Sequence, residues 1–387
     1  MFSEAIVLLP MEKSRVDFDL LRTVVPDWKE AKDSEIETEN LSIFDAERVG
    51  LYKVTYKGSP FSVTYRKFDD EEAFQKYRYP AENGIGPKDI YSKYPILIQG
   101  FLGESKLPGV TGVLKPVVYN ALFRELVKLH KIKIPKEFNN DIFLMAWLET
   151  SSKDGTQTKI EEFDLTCKEA QSRSDLTEEE RTIFKKVHPI IKERDFILEL
   201  IKPLNLCWCH NDLHHENLLW NAETGKAALI DFEDNGLGFR GFDIGNLLCE
   251  TVWEIIKEYP KYRKIGVQFN EKDEEKMILM YTLHWVKPDW EKNLEKTGIK
   301  VENITKDSIK ELILEERQRE LFWAVFSEMR RELFIGLMCS CYYWVIWNAL
   351  HFDNVETDDW GFLPVAEIKF DLYFEVKKRF IETYSTK

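Results

Sequence analysis

The spacing of apolar side chains changes character along the 387-residue chain. Residues 61–67 alternate apolar and polar positions, which is typical of a half-buried strand. Residues 49–56 predict a strand just before it, and the apolar run at residues 96–98 predicts another. Residues 16–25 have the period of a short amphipathic helix that ends before a proline. The first part of the chain is therefore predicted to be rich in strands.

From about residue 114 the apolar spacing becomes helical. The predicted helices are residues 114–131, 178–201, 243–258, 272–285, 307–350 in pieces, and 366–383. The charged stretch 151–180 and the segment 286–306 are predicted to be surface loops or insertions. We therefore expect an α+β fold of two lobes, in which residues 1–104 are strand-rich and residues 105–387 are mainly helical.

Composition and charge narrow the classes of protein. Hydrophobic residues make up 44% of the chain, so a substantial core is available and wholesale disorder is excluded. The 68 acidic and 54 basic residues give a net charge of −14, whereas a nucleic-acid-binding protein usually carries a basic surface. No nucleic-acid partner is therefore expected, and the acidic balance favours a cationic substrate over an anionic one.

Cysteine usage and apolar runs indicate the compartment. The six cysteines have no disulfide-framework spacing, and the chain start lacks the basic region and long apolar stretch of a signal peptide. Both features predict a reducing, cytoplasmic location. Residues 334–350 are uncharged over 17 residues, shorter than the ~20 that a spanning helix needs. That run is predicted to be a buried helix rather than a membrane span.

One motif carries most of the chemical information. Residues 210–217 read H-x-D-x-x-x-x-N, and Asp231 begins a D-F-x triplet fourteen positions after Asn217. This is the spacing of a kinase catalytic loop and its second metal-binding aspartate. Phosphoryl transfer needs a carboxylate at the attacking hydroxyl and oxygen ligands for magnesium, which Asp212, Asn217 and Asp231 supply in that order.

A lone aspartate in a loop more often caps the loop than performs catalysis. Here four positions have the expected spacing in a strand–loop–strand setting, so the catalytic interpretation of Asp212 is favoured. A hairpin formed by residues 218–231 would place Asn217 beside Asp231. Two oxygen ligands held in this way can share one magnesium ion.

The same segment has a rival interpretation as a zinc site. Cys207, Cys209, His210, His214 and His215 lie within nine residues, and both residue types are zinc ligands. A zinc site would require residues 210–215 to be helical, or further ligands from elsewhere in the chain. No second paired-ligand motif completes the set, so this interpretation is disfavoured.

Beyond the catalytic loop, the chain resembles the choline/ethanolamine kinase family, which has the protein-kinase-like fold shared with aminoglycoside phosphotransferases. The matching segments are 81–88 with A-E-x-x-x-G-P-K, 231–233 with D-F-E, 239–246 with Y-R-G-F-D-I-G-N, 249–250 with C-E, 343–347 with F-W-G-L-W and 369–374 with R-F-D-x-Y-F. They extend over about residues 20–375. The resemblance implies a bilobal fold with a small N-terminal antiparallel-sheet lobe, which binds nucleotide, and a larger helical lobe for catalysis and substrate binding.

The resemblance implies roles for individual residues of the catalytic loop. Asp212 would be the base that orients the substrate hydroxyl, and Asn217 and Asp231 would hold Mg²⁺. Asp243 would brace the catalytic loop in a structural role.

The resemblance also implies a nucleotide site. Arg66 would contact the phosphates of ATP, in the role that a lysine has in protein kinases. Gly100 and Leu102 would present backbone groups to adenine. The family's glycine-rich phosphate loop would fall at residues 45–50, where Asp45 and Glu47 stand here and would repel phosphate.

An amine-binding pocket is the third implied site. Cations are held over aromatic faces with carboxylates nearby, and Trp344 and Trp347 are spaced to share one face of a helix. Core packing is the alternative for these two rings, and the family match favours binding. Glu233 and Glu250 match acidic positions of the family's pocket.

Three further positions depart from the family's pattern. Other pocket tyrosines of the family fall on Ile255 and Val365 here, and His214 stands where choline kinases usually carry glutamine. A thinner aromatic box leaves ethanolamine or another amine open beside choline.

The resemblance therefore implies an ATP- and Mg²⁺-dependent kinase for the hydroxyl of choline or ethanolamine, the first step of phospholipid biosynthesis from these amino alcohols. The family is often dimeric, which makes a homodimer one expectation. Two alternatives stay open. One is a kinase for another cationic alcohol such as an aminoglycoside, and the other is a catalytically weak, kinase-like binding protein.

Overall fold

The computed structural model describes residues 16–41, 50–103, 107, 109–138, 142–150, 157–255, 262–264, 266–352 and 362–384. The chain divides into two compact units, Met1–Gly103 and Glu104–Lys387. Of the stretch 45–50, where the sequence replaces a glycine-rich loop, only Gly50 is among the described residues.

The first unit contains a five-stranded antiparallel sheet. Its strands are β1 (Ile36–Asn40), β2 (Leu51–Tyr56), β3 (Ser62–Lys67), β4 (Asp89–Lys93) and β5 (Ile96–Gly100), in the spatial order β1-β2-β3-β5-β4. Two helices, α1 (Phe18–Val24) and α2 (Glu71–Glu82), accompany them. The buried face of the sheet contributes Val54, Val63 and Ile98 to a core that also contains Trp28. This unit contains the three strands predicted at residues 49–56, 61–67 and 96–98 and the helix predicted at residues 16–25.

The second unit is mainly helical. Its helices are α3 (Pro116–Lys131), α4 (Phe143–Glu149), α5 (Lys159–Ala170), α6 (Glu178–Val187), α7 (Arg194–Ile201), α8 (Arg240–Cys249), α9 (Glu271–Val286), α10 (Leu294–Thr297), α11 (Ile309–Leu312), α12 (Glu316–Leu350) and α13 (Phe362–Tyr384). Its short strands are β6 (Cys207–Cys209), β7 (Leu218–Asn221), β8 (Lys226–Leu229), β9 (Gly236–Gly238), β10 (Trp253–Ile255) and β11 (Tyr262–Lys264). The α+β fold class is confirmed.

The prediction of a surface loop at residues 151–180 was wrong for its central part. α5 lies there, with Phe163 and Cys167 buried. Its start is stabilised by a capping box, in which the Thr158 hydroxyl accepts from the Glu161 N–H and the Glu161 carboxylate accepts from the Thr158 N–H. The sequence T-x-x-E was a usable signal for this helix start. In the segment 286–306, likewise, Trp290 is fully buried rather than on the surface.

Two predicted helices have different limits in the structure. Residues 178–201 form α6 and α7, separated by a 3₁₀ segment that contains a proline, His188–Glu193. The predicted helix 243–258 ends at Cys249, and Trp253–Ile255 is a strand paired with Tyr262–Lys264. The alternation of Trp253, Glu254 and Ile255 was the strand signal at this point.

Close packing of α8 on α12 explains two of the glycines in R-G-F-D-I-G-N. A Cβ atom on Gly336 of α12 would lie 1.8 Å from the carbonyl oxygen of Gly241, and one on Gly245 would lie 2.4 Å from the carbonyl carbon of Gly336. The two backbones therefore meet directly, and no side chain larger than hydrogen fits between them. Beside the crossing, the buried Arg240 pairs with Glu332.

α12 is long and apolar enough to cross a membrane by length and composition. Its most apolar window is 83% buried inside the protein. A helix covered in this way by its own chain has the environment of a core helix, which agrees with the interpretation of residues 334–350.

Candidate active site

Four short strands position the catalytic-loop sequence. β6 leads into the loop and pairs with β9, and the hairpin β7–β8 follows the loop. At the base of that hairpin the N–H of Ile230 donates to the carbonyl oxygen of Asn217, with 3.1 Å between nitrogen and oxygen. The backbone of Asn217 therefore lies next to Asp231, as expected for the hairpin that the sequence predicted.

The start of the loop is held by the carboxylate of Asp243, which is fully buried on α8. One oxygen of Asp243 accepts from the N–H of Asn211 and the other from the N–H of His210, each at 2.8 Å. The second oxygen also contacts His130 Nε2 at 2.9 Å. Asn211 has a φ of 65°, a left-handed conformation that these bonds help to maintain. Asp243 thus occupies the bracing position that the resemblance implied.

The carboxylate of Asp212 is oriented by two neighbours. Its Oδ2 accepts from Asn217 Nδ2 at 3.1 Å and lies 3.4 Å from His214 Nε2. Its Oδ1 is buried and has no hydrogen-bond partner among the described residues. A buried carboxylate oxygen without a donor is unfavourable unless a ligand completes it, so Oδ1 is the atom open to a hydrogen-bond donor from a ligand.

Asp212 and His214 shift each other's protonation. Burial by itself would raise the pKa of Asp212, but the nearby imidazole of His214 outweighs burial and lowers it. Burial likewise opposes the charged form of His214, and the Asp212 carboxylate overcomes it, raising the pKa of His214 to about 9. Asp212 is therefore an ionised carboxylate beside an imidazolium at neutral pH.

Asn217 and Asp231 provide a donor set that fits magnesium. The Asn217 amide nitrogen donates to the carbonyl oxygen and carboxylate of Asp212, which turns the amide oxygen away from that residue. Asp231 has a φ of 57°, a conformation that costs a non-glycine residue energy and that often marks a functional position. One carboxylate and one amide oxygen are hard ligands of the kind that Mg²⁺ binds together with substrate phosphates.

The sequence interpretation passed over a further carboxylate beside these residues. Burial and repulsion from Asp212, Glu233 and Asp231 raise the pKa of Asp234 well above its usual range. Burial and the neighbouring carboxylates thus favour the neutral form of Asp234. A D-F-E-D sequence was the available signal for it.

The predicted aromatic pair lies on α12, and both rings are half-buried. Trp344 and Trp347 meet edge to face, with ring centroids 5.3 Å apart. His351 stacks on Trp347 with centroids 4.2 Å apart, and Tyr343 contacts Trp344 edge-on. Part of each ring is therefore packed against the protein's own side chains, as the core-packing alternative held.

The two predicted pocket glutamates lie in different environments. Glu233 is exposed. Glu250 is buried and pairs with Lys369 of α13, with 2.5 Å between Glu250 Oε1 and Lys369 Nζ. Lys369 belongs to the K-F-D-L-Y-F segment quoted for the family likeness, where it received no role. A lysine on the apolar helix face that contains Val365, Leu372 and Val376 was the signal for a buried ion pair.

Asn246, the last residue of R-G-F-D-I-G-N, also received no role from the sequence. Its amide nitrogen donates to the carbonyl oxygen of Leu213 at 3.2 Å. Its amide oxygen accepts from the Ser340 hydroxyl and the Trp344 indole N–H, each at 2.7 Å. The residue therefore links the catalytic loop to the aromatic pair.

The rival zinc ligands are only partly brought together. Within the described ranges, the potential metal-binding group is His130, Cys207 and Cys209, whose ligand atoms lie within 4.8 Å of one another. His130 already contacts the Tyr281 hydroxyl at 2.7 Å and Asp243 at 2.9 Å through its two nitrogens. His210 Nε2, in turn, lies 2.8 Å from the carbonyl oxygen of Ile230. These imidazoles belong to hydrogen-bond networks that zinc would have to break.

The three residues assigned to nucleotide lie in the first unit. Arg66 is 5% exposed, and its guanidinium lies over the Tyr77 ring at 4.4 Å. Gly100 ends β5, where a Cβ atom would meet nothing within 4 Å, and Leu102 is exposed. Their roles toward ATP stay predictions.

The two departures from the aromatic box fall on different elements. Val365 is buried in α13. Ile255 ends β10. At Ile255 and Val365, aliphatic side chains stand where the family has tyrosines.

Comparison with known proteins shows consistent relationships. The sequence model of the choline/ethanolamine kinase family matches residues 65–382. A choline/ethanolamine kinase of Homo sapiens is 26% identical over 188 residues, which are 48% of this chain and 41% of that protein. Probable ethanolamine kinase A of Dictyostelium discoideum is 21% identical over 379 residues, which cover 94% of this chain and 92% of that protein. The match thus spans about two fifths of the human relative's length and nearly all of the Dictyostelium one.

The fold is shared with a solved structure. Choline kinase from Cryptosporidium parvum Iowa II superposes with a TM-score of 0.63 and 18% sequence identity, over 95% of this chain and 96% of that chain. At this identity the superposition shows the fold alone. It confirms the protein-kinase-like fold class predicted from the sequence.

Proposed function

Because this chain belongs to the choline/ethanolamine kinase family, we propose that it transfers the γ-phosphate of ATP to the hydroxyl of choline or ethanolamine. The observation that carries the proposal is the buried Asp212 Oδ1, which has no protein donor among the described residues while Oδ2 is held by Asn217. A substrate hydroxyl is the donor that such an atom requires.

The reaction uses Asp212 as its base. The carboxylate accepts a hydrogen bond from the acceptor hydroxyl and aligns its oxygen with the γ-phosphorus of ATP. As the new O–P bond forms, the bond from phosphorus to ADP breaks, and Asp212 takes the hydroxyl proton and releases it to solvent. The lowered pKa of Asp212 keeps it ionised for this step.

Asn217 and Asp231 would hold Mg²⁺. When bound, this ion neutralises charge on the phosphates during transfer. The hydrogen bond between Ile230 and Asn217 keeps the two ligands adjacent, and Asp243 fixes the loop that carries the base. These contacts preorganise the site before substrates arrive.

The residues proposed for substrate binding are those that the sequence named. Arg66 contacts the nucleotide phosphates, and the backbone at Gly100 and Leu102 receives adenine. The acceptor's ammonium lies near the acidic and aromatic side chains of the second unit, for which the sequence named Glu233, Glu250, Trp344 and Trp347. We place the enzyme in the cytoplasm, in phospholipid biosynthesis, with a homodimer as the expected assembly.

The test is ADP release measured with choline, ethanolamine and kanamycin in parallel, with magnesium present. The wild-type protein should release ADP with at least one of the two amino alcohols, and Asp212→Asn should abolish release. Asp175→Asn is the matched control, because Asp175 is 60% exposed in a surface ion pair. Equal release by wild type and Asp212→Asn would reject the catalytic assignment. Release with kanamycin alone would support the aminoglycoside alternative.

A further inference from the structure

Tyr343 of α12 adds a hydroxyl group to the aromatic side chains near the catalytic loop. The family segment quoted above, F-W-G-L-W, has phenylalanine at this position, whereas this chain reads Y-W-V-I-W. An aromatic ring at this position is therefore shared with the family, and the hydroxyl group is an addition of this chain. A phenol can donate and accept a hydrogen bond, which the phenylalanine ring cannot.

Three aromatic neighbours hold the Tyr343 ring in place. Its centroid lies 4.6 Å from that of Trp147, 4.9 Å from that of Trp344 and 5.6 Å from that of Phe143. The contacts with the two tryptophans are edge to face, which is a favoured arrangement of aromatic rings. Only 6% of the residue is exposed. The direction of the hydroxyl group is therefore fixed by packing.

The Tyr343 hydroxyl makes no hydrogen bond to any of the described residues. The hydroxyl of its neighbour Tyr342 is also unpartnered, but that atom is enclosed and its residue is 0% exposed. The Tyr343 hydroxyl is not among the enclosed atoms, so it lies at the small exposed part of its residue. A polar group on a side chain buried to this extent is usually paired, which leaves this hydroxyl available to a ligand.

The surroundings of this hydroxyl place it at the site proposed for the acceptor. Burial and the negative charges of Asp234, Asp212 and Glu250 raise the pKa of Tyr343 well above its usual range. The hydroxyl is therefore protonated at neutral pH and lies close to the proposed base. A second observation agrees, because the adjacent Trp344 is linked to the catalytic loop through one buried amide.

Ethanolamine and choline have no atom that suits this donor. In the proposed reaction the acceptor hydroxyl gives its proton to Asp212 and directs a lone pair at phosphorus, and an ammonium group has no lone pair. Carboxylate oxygens are stronger acceptors than a phenol, so they bind the ammonium and leave the phenol as a donor. The partner that the phenol requires is a further oxygen on the acceptor. A neutral hydroxyl suits this place, since the nearby carboxylates would repel an anion.

We propose that Tyr343 is a specificity-determining residue whose hydroxyl donates a hydrogen bond to a second hydroxyl of the acceptor. The preferred acceptors are then amino diols, which are ethanolamines with one more hydroxyl group. This inference rests on the proposed function and narrows its substrate class. An acceptor with an alkyl group in place of the second hydroxyl would leave the Tyr343 hydroxyl unpaired in the complex, which is unfavourable.

The experiment compares two acceptors of nearly equal size. One is serinol, the amino diol with a hydroxymethyl group on each side of the amine-bearing carbon. The other is its analogue in which an ethyl group replaces one hydroxymethyl group, measured as the faster enantiomer. For the wild type we expect kcat/KM to be at least about tenfold higher for serinol, as for the loss of one hydrogen bond to a buried group. Tyr343→Phe should reduce this ratio to roughly twofold, which the two equivalent hydroxyls of serinol account for.

Tyr342→Phe is the matched control. It removes an unpartnered hydroxyl one residue away that is enclosed and that no acceptor can reach, so the wild-type ratio should be kept. Neither variant should lower the unfolding midpoint or raise KM for ATP, because neither hydroxyl bonds to a described residue. A change confined to the acceptor ratio in Tyr343→Phe separates a binding role from a structural one.

Two results would overturn the inference and leave the proposed function intact. One is a wild-type ratio smaller than expected while ethanolamine or choline supports ADP release. The other is a ratio that Tyr343→Phe and Tyr342→Phe change alike or that neither of them changes, which would mean that the Tyr343 hydroxyl bonds only to water. If no amino alcohol supports ADP release, the proposed function itself fails, and this inference fails with it.

Discussion

The amide oxygen of Asn246 accepts a 2.7 Å hydrogen bond from the indole nitrogen of Trp344, 98 residues later in the chain. The other end of the same amide donates to the carbonyl oxygen of Leu213, next to the proposed base. One buried side chain thus fixes the separation between the catalytic loop and the aromatic cluster. This relationship gives R-G-F-D-I-G-N a physical role beyond helix formation.

Removing that link should impair acceptor use more than nucleotide binding. Asn246→Ala leaves the Trp344 N–H and the Leu213 carbonyl without their partner, so we expect a loss of about 1–3 kcal/mol in unfolding free energy. We also expect kcat/KM for the acceptor to fall on the order of 10²-fold, because misplacement of the loop is costly. Urea unfolding and initial-rate kinetics measure the two effects. Asn293→Ala, which removes a buried amide bonded to Leu312, is the control. A similar kinetic loss in both variants would contradict the prediction.

The glycine contact between α8 and α12 should be intolerant of a methyl group. In Gly336→Ala the new Cβ would lie 1.8 Å from the Gly241 carbonyl oxygen, so the helices must separate. We expect a destabilisation of at least about 3 kcal/mol, at or beyond the upper end of ordinary overpacking. Thermal and urea unfolding provide the measurement. Gly100→Ala, where a Cβ meets no atom within 4 Å, should change stability little. Equal unfolding midpoints for the two variants would disprove the close contact.

The pairing of His214 with Asp212 should make stability depend on pH. The folded-state pKa of His214 is raised to about 9 from 6.5, so the protonated imidazole stabilises the fold. A raised pKa means that this contribution is complete below pH 6.5 and is lost as the pH rises through about 9. We expect His214→Gln to cost on the order of 1–3 kcal/mol at pH 6 and almost nothing at pH 10.

Urea unfolding of the wild type and His214→Gln at several pH values, without magnesium, measures this difference. Titrations common to both proteins cancel in the comparison. A difference that is constant from pH 6 to pH 10 would show that the two side chains are not coupled as described.

Metal removal tests the donor set at the end of the hairpin. ATP with magnesium should raise the unfolding temperature of the wild type, because a ligand that binds only the folded state stabilises it by mass action. Chelation of magnesium should remove most of that increase, and Asp231→Asn should show little increase under either condition. Differential scanning fluorimetry suffices for the measurement. If the wild type is not stabilised by ATP and magnesium, the weak kinase-like binding protein becomes the better description.

Much of the fold followed from local patterns. Apolar patterns in the sequence located β2, β3 and β5, and helical spacing located α3, α9 and α13 within a few residues. The incorrect predictions of secondary structure also have local causes. Helix α5 was not predicted because its charged composition concealed a capping box. The helix predicted for residues 243–258 was too long, because a short alternating strand, Trp253–Ile255, lies within that range. Antiparallel pairing with Tyr262–Lys264, only 7 to 11 residues later in the chain, stabilises that strand, and the search for helical spacing did not consider such a pairing.

By itself, the sequence determined the order and spacing of the proposed catalytic groups. Asp212, Asn217 and Asp231 lie within twenty residues of one another, so one loop and one hairpin suffice to bring them together. Local spacing predicts such an arrangement because short segments have few conformations that satisfy their backbone hydrogen bonds.

Only the tertiary structure decided what surrounds the aromatic pair. Lys369 reaches Glu250 across 119 positions, and the close α8–α12 crossing depends on glycines 91 to 95 positions apart. Helical periodicity shows which face of a helix is apolar but not which distant side chain packs against it. That partner is set by helix packing over the whole second unit, and here it is Lys369, whose ammonium lies 4.7 Å from the Trp344 ring centroid.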